Sequence, residues 1–319
     1  MASVAGWGAD DIPDLGGRTI VVTGGNSGIG YEAALQLARS GAHVLLACRD
    51  PQKGATAAAV IRALHPSAAV HVQPLDLASL ASVRAFAAAF SAAHPQLHVL
   101  CNNAGVMALP YRTTADGFEM QIGTNHLGHF ALTGLLLERL LATPGARVVN
   151  VSSGAHRFGR IRFDDLHWQV GYRKWAAYGQ SKLANLLFTY ELQRRSEAAG
   201  RALISVACHP GYAATNLQTA GPKMEGSSRL QRLAELGNRL CAQSAVIGAL
   251  PTLYAATAPD VRGGEYIGPN GIGELWGPPT RVRSSARSND RDAAARLWQL
   301  SEQLTGVRYV GLEPAAHAN

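Results

Sequence analysis

A β-branched run that leads straight into a glycine-rich turn and then a helix leaves a chain few folds to choose from. Here Thr19-Ile-Val-Val-Thr23 reads as a buried strand, Gly24-Gly-Asn-Ser-Gly-Ile-Gly30 as the turn, and residues 31–40, closed by Gly41, as the helix. The alternation continues, with strands at 43–47, 70–75, 97–101, 147–151 and 203–208. Helices are expected at 51–65, 80–93, 118–141, 174–199 and 243–257, and from Asn289 to about residue 304. Near-continuous apolar strands separated by helices predict an α/β fold, a doubly wound parallel sheet with helices on both faces. Without internal repeats or low-complexity linkers, the 319 residues are expected to form one domain over 17–312, behind a flexible lead-in at 1–16. After Thr215 the pattern loosens, and 216–242, rich in Gly, Ser and charge, reads either as a substrate lid or as a variable surface insertion.

A glycine-rich turn between a strand and a helix sets backbone N–H groups and a helix N-terminus against a pyrophosphate, which makes the predicted sheet Rossmann-like. The spacing Gly24-x-x-x-Gly28-x-Gly30 differs from G-x-G-x-x-G, and the bland alternative is a structural turn. The end of the second strand discriminates between dinucleotides. An acidic residue there suits the ribose hydroxyls of NAD, and an arginine suits the 2′-phosphate of NADP. The chain has Cys48 and then Arg49, whose guanidinium fork matches phosphate, with Asp50 one step later. NADP(H) is therefore expected, and NAD(H) is the alternative in which Asp50 turns to the ribose.

Tyr178-Gly-Gln-Ser-Lys182 lies in a proline-free stretch of good helix formers, so Tyr178 and Lys182 share one helix face. A nearby ammonium lowers a phenol's pKa toward neutrality and makes it a general acid or base. The alternative is a half-buried tyrosine beside a lysine reaching for solvent. Four scattered cysteines lack metal spacing and read as reduced thiols. His126, His129, His156 and His209 read as histidines bonded within the fold, so no metal site is expected. The charge of +7 comes from arginines spread over helices without interleaved aromatics, so a nucleic-acid partner is not expected. No apolar run approaches the ~20 residues of a membrane span, and residues 1–17 lack the regions of a signal peptide, so no integral membrane segment and a cytoplasmic location are expected.

Together these motifs resemble the short-chain dehydrogenases/reductases over roughly residues 17–270. Thr23 to Gly30 looks like the family's T-G-x-x-x-G-x-G turn, which assigns Gly24, Asn26, Ser27, Gly28, Ile29 and Gly30 to the cofactor. Asp76-Leu77 resembles the adenine-ring contact, Asn102-Asn103-Ala104-Gly105 the N-N-A-G strand end, and Pro210-Gly211 through Thr215 the segment along the nicotinamide. Asn125 matches the catalytic asparagine, and of Val151-Ser-Ser153 the second serine is placed as the catalytic one. Ala47-Cys-Arg-Asp50, Asn125-His-Leu-Gly-His-Phe130 and Ser181-Lys-Leu-Ala-Asn185 are similar to the branch of retinol dehydrogenases and their relatives, which implies NADP(H) and a small carbonyl or alcohol substrate.

The resemblance gives Tyr178 the proton transfer, Lys182 the nicotinamide ribose and the phenolate, Ser153 the substrate oxygen, and Asn125 a water linking Lys182 to solvent. His156 and Tyr172 are expected to line the substrate pocket, and Met107, Phe158, Tyr172 and Trp175 hint at a hydrophobic substrate. A non-catalytic NADPH-binding sensor or scaffold is the alternative function. An extended-type epimerase or dehydratase fits the glycine spacing poorly. Oligomeric state is left open between monomer, homodimer and homotetramer.

Overall fold

The computed structural model describes residues 6–212 and 243–313. Eight strands form one sheet: β1 (Thr19–Thr23), β2 (His43–Cys48), β3 (Val70–Pro74), β4 (Val99–Asn102), β5 (Arg147–Val151), β6 (Ile204–Cys208), β7 (Tyr266–Pro269) and β8 (Pro279–Arg281). The long helices are α1 (Gly28–Arg39), α2 (Pro51–Leu64), α3 (Leu80–Ala93), α5 (Gly128–Leu135), α7 (Lys174–Ala198), α8 (Ala245–Thr257) and α9 (Arg291–Thr305). Two short ones, α4 (Met120–Ile122) and α6 (Leu137–Leu141), flank α5. The spatial order β3-β2-β1-β4-β5-β6-β7-β8 is parallel through β7, as expected of a doubly wound α/β sheet. The antiparallel β8 is an addition.

Alternation along each strand explains the two layers. On β1, Ile20 and Val22 point into a core shared with α1 and α8, while Val21 points into the opposite core with Phe86, Phe90, Phe130 and Trp298. A strand buried on both faces favours apolar side chains, which is why these segments are mostly apolar, and the polar Asn102 and Asn150 buried among them bond to each other. The order reverses between β1 and β4, the neighbours through which the chain winds in opposite directions. Loops after those strands diverge and leave a crevice at the carboxyl edge, and the glycine turn and Asn102–Gly105 both leave the sheet there.

Two expectations are corrected. The lead-in is packed from residue 6 onward: Leu15 is buried in the core, its N–H donates to Ser40, and Trp7 meets Tyr254 edge-on at 5.2 Å. Isolated apolar anchors among polar residues hold it down. The expected helix over 118–141 is broken into α4, a π turn at Gly123–Leu127, α5 and α6. The segment 216–242 and Thr215 lie outside the described residues.

Candidate active site

β1 ends at Thr23, and the chain turns through Gly24 at φ +67°, a left-handed conformation that glycine adopts without strain. Gly30 sits so close beneath the turn that a Cβ there would come within 2.5 Å of the Gly24 carbonyl oxygen. Between them Asn26 is half-buried, Ser27 exposed and extended, and Ile29 anchored in the core. Helix α1 begins at Gly28 without a side-chain cap. A helix start left uncapped, approached by glycine backbone, offers the N–H donors that a dinucleotide pyrophosphate takes up.

At the end of β2 the two candidate discriminators part company. Arg49 is exposed. Asp50 caps α2, its carboxylate accepting from Gln52 and Lys53 N–H at 3.1 Å each. Asp76 closes its own turn by accepting from Ala78 N–H at 3.0 Å, and Leu77 is buried. Asn103 reaches back to β1, its amide donating to the Thr23 carbonyl at 2.8 Å, and Ala104 N–H donates to the Thr23 hydroxyl. Pro210 and Gly211 follow β6, with Gly211 at φ +67°.

Tyr178 and Lys182 lie on α7, both buried, and converge with Ser153 at the end of β5. Burial pushes the Tyr178 phenol up to about 12, while its hydrogen bond with Ser153 pulls the other way. The expectation of a phenol acidified by its lysine is therefore corrected. Lys182 Nζ donates to the Val151 carbonyl at 3.0 Å and lies 5.8 Å from the centre of the phenol ring. Its own pKa is down to about 8, chiefly through burial. The neighbouring Ser152 turns away and donates to the Lys182 backbone carbonyl at 2.8 Å, leaving Ser153 as the serine that meets the phenol.

Asn125 occupies the π turn, a one-residue slip in helical hydrogen bonding often found at functional sites. Its amide brackets Val106, accepting from the N–H at 2.7 Å and donating to the carbonyl at 2.9 Å, and also donates to Ser181. The Cα of Gly105 passes so near that a Cβ would lie 3.1 Å from Asn125 Oδ1 and 3.5 Å from Lys182 Nζ. Asn125, Ser153, Tyr178 and Lys182 thus frame one region at the carboxyl edge of β4 and β5.

The polar atoms of the two residues expected to line a pocket are engaged within the fold. His156 is fully buried, with Nδ1 donating to the Ser153 carbonyl at 2.7 Å and Nε2 accepting from Ser285 N–H at 3.1 Å, so it props the serine's loop. The Tyr172 hydroxyl is committed to the Leu109 carbonyl at 2.8 Å and to Gln121 at 2.9 Å. The apolar rings that do stand open are Trp175, 51 % exposed and edge-on to Tyr178 at 6.2 Å, and Phe158, 55 % exposed. Sequence reasoning had no means of finding the Thr23–His129 contact at 2.9 Å, since it joins residues far apart in the chain.

Residues 18–226 match the model of the short chain dehydrogenase family. The chain is 53 % identical over 296 residues to retinol dehydrogenase 11 of Homo sapiens, covering 92 % of this chain and 87 % of that one. A solved structure of an uncharacterised protein from Mycobacterium paratuberculosis is 47 % identical, with a TM-score of 0.77 over 96 % of this chain and 99 % of that one. Another, from Beutenbergia cavernae with NADP bound at low occupancy, is 28 % identical, with a TM-score of 0.58 over 76 % of this chain and 91 % of that one.

These relatives overturn the cytoplasmic expectation. Proteins named for retinol, a lipid alcohol that partitions into membranes, are no guide to a purely aqueous location. Among the described residues no helix is long and apolar enough to cross a membrane, and that fact assigns no location.

Proposed function

The chain belongs to the short-chain dehydrogenase family, and from that premise we propose that it is an NADP(H)-dependent oxidoreductase acting on a hydrophobic carbonyl or alcohol. The observation that carries the proposal is the convergence of the Tyr178 phenol, the Ser153 hydroxyl and the Lys182 ammonium beside the crevice. When bound there, the nicotinamide would supply or take the hydride. Gly24 to Gly30 and the start of α1 would hold the pyrophosphate, and Asp76, Leu77, Asn103, Ala104, Gly105, Pro210 and Gly211 would serve the rest of the cofactor; Thr215 stays an expectation from the sequence.

Tyr178 keeps its proton through neutral pH, which is the form that donates to a carbonyl oxygen in reduction. Ser153 orients that oxygen. Lys182, charged below about pH 8, holds the ribose hydroxyls and stabilises the phenolate as the proton leaves. Oxidation runs the same groups in reverse.

NADP is favoured because Arg49 is exposed beside the glycine turn while the Asp50 carboxylate is already engaged as the cap of α2. The Beutenbergia relative binds NADP. A hydrophobic substrate is favoured by Trp175 standing open beside the phenol, by the exposed ring of Phe158 against Gly179 on the same helix, and by relatives named for an apolar alcohol. The test is NADPH consumption against a panel of hydrophobic aldehydes, ketones and quinones, repeated with NADH. Turnover that requires Tyr178 and prefers NADPH is expected, and a hundredfold preference for NADH would remove the role given to Arg49.

A further inference from the structure

A buried polar bridge runs from the root of the glycine turn to Asn125, and we propose that His129, at its centre, is a positioning residue for hydride transfer. It fixes the Asn125 backbone carbonyl and ties it to Thr23. This rests on the oxidoreductase reading and adds a residue to it.

The hydrogen-bond roles can be assigned without ambiguity. A carbonyl oxygen only accepts, so His129 Nδ1, 3.1 Å from the Asn125 oxygen, carries the ring proton. Burial keeps the imidazole neutral, its pKa down at about 4, so Nε2 is bare and must accept. Its donor is the Thr23 hydroxyl at 2.9 Å. That hydroxyl accepts the N–H groups of Asn103 and Ala104, each at 2.9 Å, which occupies both lone pairs. Its single hydrogen goes to the imidazole in preference to the Cys101 carbonyl, which is farther at 3.2 Å. One ring therefore joins β1, the end of β4 and the π turn, and rotating it breaks two bonds at once.

The consequence reaches Lys182. Asn125 grips Val106 through both of its amide atoms, and the Cα of the preceding Gly105 faces both Asn125 Oδ1 and Lys182 Nζ. A displaced Asn125 carbonyl moves that Cα against the lysine. In a regular helix the Asn125 carbonyl would be served by the backbone N–H four residues on. In the π turn the Gly128 N–H reaches back to Gly123, and the side chain of His129 supplies a donor to Asn125.

The experiment compares His129→Phe, His129→Asn and His129→Gln in the full chain. It measures kcat, KM and the pH profile of kcat with NADPH and nonanal, and NADPH affinity by fluorescence titration. Phenylalanine removes both bonds, asparagine keeps an N–H where Nδ1 stood, and glutamine reaches only toward Thr23. His129→Phe is expected to lower kcat about 10–100-fold and displace the alkaline limb, with KM for nonanal little changed; His129→Asn should recover most of the loss and His129→Gln less. A folded His129→Phe with wild-type kcat and pH profile overturns the inference. If that variant does not fold, equal or reversed rates for Asn and Gln overturn it instead. A wild-type chain that binds NADPH but reduces no carbonyl removes the oxidoreductase reading alone. The bridge is then read from affinity, which falls about tenfold in His129→Phe if the imidazole holds Thr23 and is unchanged if it does not.

Discussion

Tyr178 and Lys182 share a helix face, yet burial moves them in opposite senses, the phenol up to about 12 and the amine down to about 8. Desolvation disfavours whichever form is charged, so a buried acid holds its proton and a buried base sheds one. The phenol is then the proton reservoir and the ammonium the group that titrates nearest neutrality. Reductive turnover is expected to fall as pH rises through about 8, where Lys182 loses its charge, and a profile flat from pH 7 to 9 would contradict that role. Tyr178→Phe should lower kcat about 10²–10⁴-fold with NADPH binding nearly intact, read by steady-state kinetics beside a fluorescence titration. Arg49→Ala should weaken NADPH binding about thirtyfold, roughly the 2 kcal/mol of a hydrogen bond to a charged group, and leave NADH unaffected. The pairing of Tyr178 with Lys182 was legible from their spacing of four. The sign of the phenol's shift was not, because it depends on how many neighbours close over the ring, and the sequence lists none of them.

Among the elements, the strand at 19–23 could be read to the residue and the glycine turn and helix after it in order, though the helix starts at Gly28, three residues before the expected 31, because each part has a distinct chemical requirement. The requirement is sharpest at Gly30, where an added Cβ would meet the Gly24 carbonyl and the Asn103 amide. Backbone cannot yield as a flexible side chain can, so Gly30→Ala is expected to open the turn. NADPH binding should weaken more than tenfold while α7 and its buried residues stay in place, so that the melting transition remains cooperative; wild-type affinity in this variant would show that the turn is not the pyrophosphate site. Two other elements left no sequence signal. β7 is four residues, Tyr266–Pro269, containing Gly and ending in Pro, a composition that reads as loop. The π turn at Gly123–Leu127 is a shift of hydrogen bonding by one residue inside an otherwise helical pattern, and the side chains on either side keep the same apolar period. The element that carries Asn125 was thus found as a helix, but the irregularity that presents Asn125 was not.

For the molecule as a whole, three buried histidines set a limit on the acid side. His126, His129 and His156 are held neutral by burial, with pKa values down to about 3, 4 and 4. Each folded-state value lies below the ordinary 6.5, so the unfolded chain takes up protons first as pH falls. Their contribution is complete above about pH 6.5 and is lost progressively down to about pH 4. Glu119, a buried carboxyl pushed upward, opposes the trend. Three unmatched protons give a slope of roughly 4 kcal/mol per pH unit once the unfolded histidines are charged. Between pH 7 and pH 5 the loss is about 5 kcal/mol, comparable with the whole stability of an ordinary domain. The urea midpoint should therefore drop steeply between pH 7 and pH 5, with cooperative acid unfolding before pH 4. These histidines bond to Ser301, to Thr23 and Asn125, and to Ser153, around the proposed site. Loss of NADPH binding and loss of far-UV ellipticity should accordingly follow the same pH curve. A urea midpoint that holds steady from pH 7 to 5 would mean that the imidazoles are protonated without cost, and the buried neutral bridge could not then exist as described.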